Sequence, residues 1–317
     1  MSLSRRTFLR GSAQSLGAVS LLGALPAALA PTAAAAKDSG PRLTARDIVV
    51  KDVAGLAVLS GAGCNVVALS APDGALLIDG GLARHSGALL DAVATATRTR
   101  RVGTLINTHW HPEQTGSNEA VGKAGGTLIA HEVSRLALTR AEQSPLFEGS
   151  YGPLPEKARP VKTTYNTGSL QFGGETVDYR YLPAAHTNGD LFVHFPRRNV
   201  IVAGGPVAAD HWPVIDYQNG GFMHGFLRSY EILSEVARAD TVIIPANGPT
   251  LTGAQLAKQK DMYFDLFKMF FVSFNKGYGP LDIVADRPLK AFEAQYGDPA
   301  QFLEYAYRST QLATIPF

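Results

Sequence analysis

The chain has 317 residues, 45% hydrophobic and 18% charged, a globular composition with enough apolar material for one large domain or two small ones. Its formal charge is +2, but Arg5, Arg6 and Arg10 lie in the first ten residues and the chain without them stands at −1, which gives no electrostatic grip on nucleic acid or an anionic membrane. The single cysteine, Cys64, excludes an internal disulfide, a zinc ribbon and an iron–sulfur cluster, and reads as a small buried hydrophobe near a strand.

The N-terminus carries a twin arginine, Arg5-Arg6, then Phe8-Leu9 and an uncharged run from Gly11 to Ala36. This pattern reads as a Tat-type export signal over residues 1–36, with Ala34-Ala35-Ala36 as the cleavage site. Its apolar part, Leu16 to Leu25, is too short to span a bilayer, so no stable membrane anchor is expected. The expected location is the periplasm, with the Tat translocase as a partner during export. Residues 37–46 read as a polar linker before a domain over 47–317.

From Ile48, short apolar runs alternate with turns: Ile48–Val50, Leu56–Leu59, Val66–Leu69 and Leu76–Ile78, with Pro72-Asp73-Gly74 as a hairpin signal. The meander ends at Asp79-Gly80-Gly81. Leu89–Thr97 has helical spacing, and Val102–Ile106 is an apolar strand that runs into Asn107-Thr108-His109-Trp110-His111-Pro112-Glu113-Gln114-Thr115-Gly116. Two imidazoles at i and i+2 on an extended segment project the same way and can share an ion. By itself, a pair of ordinary strand-end histidines is an equal reading.

Further on, Glu119–Lys123 and Ser134–Gln143 read as helices around a Thr127–Ala130 strand. Residues 144–160, with four prolines, read as a long irregular loop of the kind that covers sites. Strands follow at Leu170–Phe172, Val177–Leu182, Leu191–Phe195, Val200–Ala203 and Thr241–Ile244, with helices at Phe226–Ala237, Leu256–Phe274 and Leu281–Tyr307. The aromatic and Met stripe of Leu256–Phe274 reads as core packing. His85, His131 and His194 read as surface or structural histidines. No Gly-x-Ser-x-Gly elbow, dinucleotide fingerprint or P-loop occurs.

Asp79-Gly-Gly, His109-x-His111-x-Glu113-Gln114-x-Gly116, His186-Thr-x-Gly-Asp190, Gly204-Gly205 and Pro245-Ala-Asn247-Gly248 follow one another in an order that resembles the metallo-β-lactamase superfamily over residues 48–250. Within that superfamily the chain looks more like exported sulfur-oxidation and quinoprotein-associated hydrolases than like true lactamases. The resemblance implies an α/β fold, an αββα four-layer sandwich of two mixed sheets with flanking helices, here with a C-terminal helical extension.

It also implies a site. His109, His111 and His186 stand at the three histidine positions of the family's first metal subsite. The second subsite's ligand positions hold Glu113, Gln114, Gly205 and Asn247, so a second ion is not supported. What remains is one three-histidine centre, with zinc the expected ion and iron or manganese its replacements. Zinc there would lower the pKa of its water to about 7. The resemblance then gives Glu113 the role of orienting or deprotonating that water, and Asp79 a supporting role behind the metal loop. Gln114, Asp190, Asp210, His211, His224 and Asn247 are the remaining candidates near a small-molecule substrate.

Three functions compete. The first is a single-ion hydrolase acting on an ester, thioester, lactone or amide. The second is a non-catalytic periplasmic metal- or ligand-binding relative. The third, a mononuclear iron oxygenase, needs a bridging aspartate where Gly205 stands.

Overall fold

Four apolar runs with tight turns between them dictate an antiparallel meander. In the computed structural model, which describes residues 43–314, β1 (Val49–Val53), β2 (Leu56–Ser60), β3 (Val66–Ala71) and β4 (Gly74–Ile78) pair in sequence order. The expected export signal and residues 37–42 lie outside the described residues. Ala71 pairs with Gly74 across the Pro72-Asp73 turn, and Gly74 takes φ +134°, a conformation that a side chain resists. Parallel pairing then adds β5 (Val102–Ile106), β6 (Thr127–His131) and β7 (Lys162–Thr164). Parallel neighbours need crossovers. The segment between β4 and β5 contains α1 (Ser86–Thr97), and that between β5 and β6 contains α2 (Pro112–Thr115) and α3 (Asn118–Lys123). After β6 comes α4 (Glu132–Ala137).

The second sheet is built from β8 (Thr167–Phe172), β9 (Glu175–Leu182), β10 (Asp190–Phe195), β11 (Val200–Gly204), β12 (Val242–Pro245) and β13 (Leu251–Thr252), in the order β13-β12-β11-β10-β9-β8. Only β11 and β12 pair parallel, and α5 (Met223–Val236) lies in the segment between them. Helices α6 (Gly253–Asn275), α7 (Pro280–Asp286), α8 (Glu293–Tyr296) and α9 (Ala300–Thr314) follow.

Strands buried on both faces are apolar at every position, and their period of two sorts the residues into layers. Val67, Leu69, Leu76, Ile78 and Ile106 meet Val177, Leu191, Val193, Val202 and Ile244 between the sheets. Their sequence neighbours Val66, Ala68, Ala75, Leu77 and Leu105 face α1 and α3 through Leu89, Val93 and Val121. On the far side, Phe192, Ile201 and Ile243 pack against Phe226, Tyr230, Tyr263, Phe270 and Tyr307. The result is the expected αββα sandwich. Each such aliphatic side chain contributes about 1.5–3 kcal/mol by burial. Leu43 and Ala45 already pack on the α1 layer.

Several elements differ from the sequence expectation. The helix expected over Ser134–Gln143 stops at Ala137, because Glu142 pairs backbone to backbone with Tyr151. Lys162-Thr163-Thr164 is too polar to announce itself, yet it forms the edge strand β7. Leu281–Tyr307 is not one helix. Arg287 (φ +47°), Pro288 and Gly297 (φ +78°) break it into α7, α8 and α9. In α6, Tyr263, Leu266 and Phe270 are core, whereas Met269, Phe271 and Val272 are exposed.

Candidate metal centre

The functional candidates collect where strands end. Asp79 follows β4, His109 and His111 follow β5, His186 follows β9, Gly205 follows β11 and Asn247 follows β12. Asp79 sits at φ +65°, a left-handed conformation that aspartate tolerates better than most residues. The segment after β5 is held tightly. Asn107 donates to the Gln114 carbonyl (2.8 Å), and Asn107 and Asn118 exchange amide bonds. Gly116 donates to the Gly81 carbonyl (2.9 Å), and a Cβ there would lie 2.1–2.4 Å from the backbone of residues 81–83. Glycine at the end of the motif is therefore a packing requirement. Cys64, buried as expected, donates its thiol to the Glu113 carbonyl (2.9 Å).

His109, His111 and His186 are all buried, and one nitrogen from each lies within 4.8 Å of the others. The outer nitrogens decide the tautomers. Thr108 donates its backbone N–H (2.7 Å) and its hydroxyl (2.8 Å) to Asp79. That hydroxyl can then only accept from His109 Nδ1 (3.1 Å), so His109 Nε2 faces the centre without a proton. His111 Nε2 donates to Asp216 (3.1 Å), leaving Nδ1 free. His186 Nδ1 donates to the Val214 carbonyl (2.6 Å), leaving Nε2 free. The bare nitrogens of His111 and His186 consequently face each other at 3.0 Å, an arrangement that a cation between them stabilises. Burial, reinforced by the neighbouring imidazoles, holds His109 well below the ordinary histidine range, and burial also lowers His186. Neutral imidazoles are what a transition metal requires. The three residues thus fit one ion, and among the described residues no other such group of His, Cys, Asp or Glu occurs.

Asp216 was not anticipated from the sequence. It lies 105 residues from His111, in a loop with no spacing signal to connect the two. Its Oδ2 accepts from His111, Ser144 (2.9 Å) and Asn219 (2.9 Å), and its backbone N–H donates to the His186 carbonyl (2.9 Å). Burial pushes the Asp216 carboxyl up, but these hydrogen bonds and the His111 ring hold it below the ordinary range. The Ser144 contact also ties down the 144–160 loop, whose Phe147 packs edge-on against His111 and Trp110. Tyr151 adds a bond to Thr115 (2.6 Å).

The histidines open into a cavity of about 270 Å³ walled by Leu146, Phe147, Val207, Trp212 and Val214. Glu113, Gln114, His211 and Asn247 line it too. Asp190 does not. It accepts from the backbone of His186 (2.7 Å) and Thr187 (2.8 Å) and fixes the His186 turn, and burial pushes its carboxyl up to about 6. Asp79 is fully buried and reaches His109 only through Thr108. One expectation needs correction. His224 lies on α5 and lines a separate apolar groove with Phe267 and Phe271, because the helix starts three residues earlier than its sequence pattern suggests. Asp210 is exposed and bonds His211 (2.8 Å) outside the histidine group. Of the structural histidines, His131 caps α4 and stacks on Tyr181 at 4.1 Å.

The sequence matches the family profile described as "Metallo-beta-lactamase superfamily" over residues 59–247, more than half of the chain. The chain belongs to the metallo-beta-lactamase superfamily. Solved structures agree on the fold. A metallo-beta-lactamase from Pontibacter korlensis is 20% identical, with TM-score 0.52 over 68% of this chain and 92% of that one. The stereoselective inverting sec-alkylsulfatase Pisa1 from Pseudomonas sp. is 17% identical, with TM-score 0.60 over 84% of this chain and 52% of that one, so the chain spans about half its length. No curated protein matches the sequence. A Cβ at Gly205 would stand 2.4–3.0 Å from the His186 ring, so the ring occupies the space of a side chain there. The Asn247 amide, oriented to satisfy its neighbours, donates to the Gly63 (3.1 Å) and Ala246 (3.2 Å) carbonyls.

Proposed function

We propose that the chain is a metal-dependent hydrolase with one three-histidine ion, acting on an ester, thioester, lactone or amide carbonyl. The observation that carries this reading is the convergence of three buried histidines, one nitrogen of each within 4.8 Å of the others and His111 Nδ1 only 3.0 Å from His186 Nε2, while their outer nitrogens bond Asp216 and the Val214 carbonyl. Zinc is the expected ion, since three imidazoles and an open position are the ligand set of catalytic zinc, and it would supply a Lewis acid and an activated water. The chain's own groups do the rest. Glu113, at the rim of the same cavity, takes and returns the proton. Asp79 and Asp216 keep His109 and His111 in the tautomers that ligate. Leu146, Phe147 and Trp212 exclude bulk water and hold the apolar part of the substrate. The export reading of residues 1–36 belongs to the same proposal: a Tat-exported protein crosses folded and reaches the periplasm with its ion in place.

A non-catalytic binding protein is the second reading, favoured by replacement at all four second-ion positions. Elemental analysis of periplasmic protein, followed by a panel of ester, thioester, lactone and amide substrates, tests both. The hydrolase predicts about one zinc per chain and turnover that His186→Ala removes while the fold persists. Stoichiometric metal with no turnover on any substrate class rejects it in favour of the binding role. Cytoplasmic retention unaffected by Arg5→Lys/Arg6→Lys rejects the export reading.

A further inference from the structure

The charge and hydrogen-bonding character of the cavity select among substrates, an argument that rests on the hydrolase reading. Several of the side chains that line the cavity offer an acceptor, and the Trp212 N–H is already spent on the Gly297 carbonyl. Glu113 presents a carboxylate. Gln114 is 2% exposed, and its Oε1 is buried within the protein without a hydrogen-bond partner, so it is not among the acceptors open to the cavity. Asn247 spends its amide nitrogen on two backbone carbonyls, which leaves its oxygen as the free group. His211 pairs Nδ1 with Asp210, whose carboxylate offsets any charge on the ring. Among the described residues no lysine or arginine lines the cavity, and its other walls are apolar: Leu146, Phe147, Val207, Trp212 and Val214.

A divalent ion held by three neutral imidazoles would bring two positive charges. Glu113 in the cavity and Asp216 behind His111 bring two negative ones. Nothing remains to attract an anionic group on a substrate, which would have to leave water for apolar walls and a carboxylate. A cationic group meets the reverse: the Glu113 carboxylate, the Asn247 amide oxygen and close aromatic walls.

We propose that this cavity selects cationic substrates, esters or amides with an apolar body that ends in an ammonium group, and rejects anionic ones. The second-ion position of the superfamily is here a pocket for a positive group on the substrate.

The test uses the full zinc-loaded chain and three esters of one apolar acyl body, ending in ammonium, methyl or sulfonate, sulfonate being a poor metal ligand. The expected order of kcat/KM is ammonium above methyl above sulfonate, with ammonium and sulfonate about tenfold or more apart. Leu146→Lys, which places a cation in the wall, should reverse the preference between methyl and sulfonate. The same three compounds as non-cleavable ethers are measured by calorimetry, which reads the preference whether or not the esters turn over. Tighter binding of the ammonium ether without any turnover would sink the hydrolase and leave the cation pocket standing. Sulfonate preferred over methyl by the wild-type protein, in turnover or in binding, overturns the cation pocket and leaves the hydrolase standing.

Discussion

The hydroxyl of Thr108 has one proton, and Asp79 holds it. While Asp79 is ionised, that commitment sets the proton of His109 on Nδ1 and bares Nε2 for an ion. Asp79→Asn is therefore a sharp test, because it keeps size and burial but reverses the relay. The new amide can donate to Thr108 Oγ1, which must then donate to His109 Nδ1 and drive the proton onto Nε2. Zinc affinity should fall about 10–100-fold, the usual effect of losing a partner behind a ligand. Titration against a competing chelator reads this directly, and unchanged affinity would refute the relay. The same residue marks the pH profile. Burial pushes the Asp79 carboxyl up to about 7, against the bonds from Thr108. A raised carboxyl means that the folded state holds this proton more tightly than the unfolded one. The stability that the group contributes is full below about pH 4 and is lost as pH rises to about 7. Denaturant titrations of the metal-free protein should show wild type losing stability relative to Asp79→Asn across that window. Histidines that titrate in both proteins cancel in the difference.

At the scale of elements, the 206–222 loop does more than close the cavity. Val214 holds His186, Asp216 holds His111, and Trp212 forms a wall. The loop itself rests on the C-terminal helices. Trp212 donates to the Gly297 carbonyl (2.8 Å) and stacks on Phe302, Tyr217 meets Tyr305, and the Met223 N–H donates to Ser309 (3.0 Å). Asp216→Ala should therefore act twice. It removes the partner of His111, with about 10–100-fold weaker zinc binding, and it releases Ser144, so protease should cut the 144–160 loop faster than in wild type. Loss of affinity with an unchanged cleavage rate would confine Asp216 to the histidine. This element also shows where the sequence was legible. The β-strands were readable because a two-sided apolar strand leaves a dense local pattern, and the three histidines because their motifs stand in the order that carries the family resemblance. Asp216 was not, since a carboxylate in a polar loop carries no periodicity and its partner is 105 residues away. His224 misled for the opposite reason: a helix read from Phe226 left it on the preceding loop, whereas α5 begins at Met223 and carries the imidazole to another face.

For the whole molecule, the centre joins the two sheets. His109 and His111 come from the end of β5 in one sheet, and His186 from the turn between β9 and β10 in the other. Hydrogen bonds already cross there: the Leu191 N–H donates to the Thr108 carbonyl (2.7 Å), and the Asn65 side-chain amide donates to the carbonyls of Pro245 (3.0 Å) and Gly248 (2.9 Å). An ion shared by both sheets binds the folded chain only, because unfolding separates its ligands. It must then stabilise the fold by mass action, by about 2.7 kcal/mol at a free concentration 100 times its dissociation constant. For a chain of this size that is a rise in Tm of roughly 5 °C. Chelation of the purified protein should lower Tm by this amount, and stoichiometric zinc should restore it. His186→Ala separates the two sources of the effect. It leaves the β5 histidines in place but removes the second sheet's ligand, so its Tm should no longer respond to chelator or to zinc. A full zinc response in that variant would mean that the ion sits on the first sheet alone, and that the two halves of the sandwich are held at this end by their own hydrogen bonds.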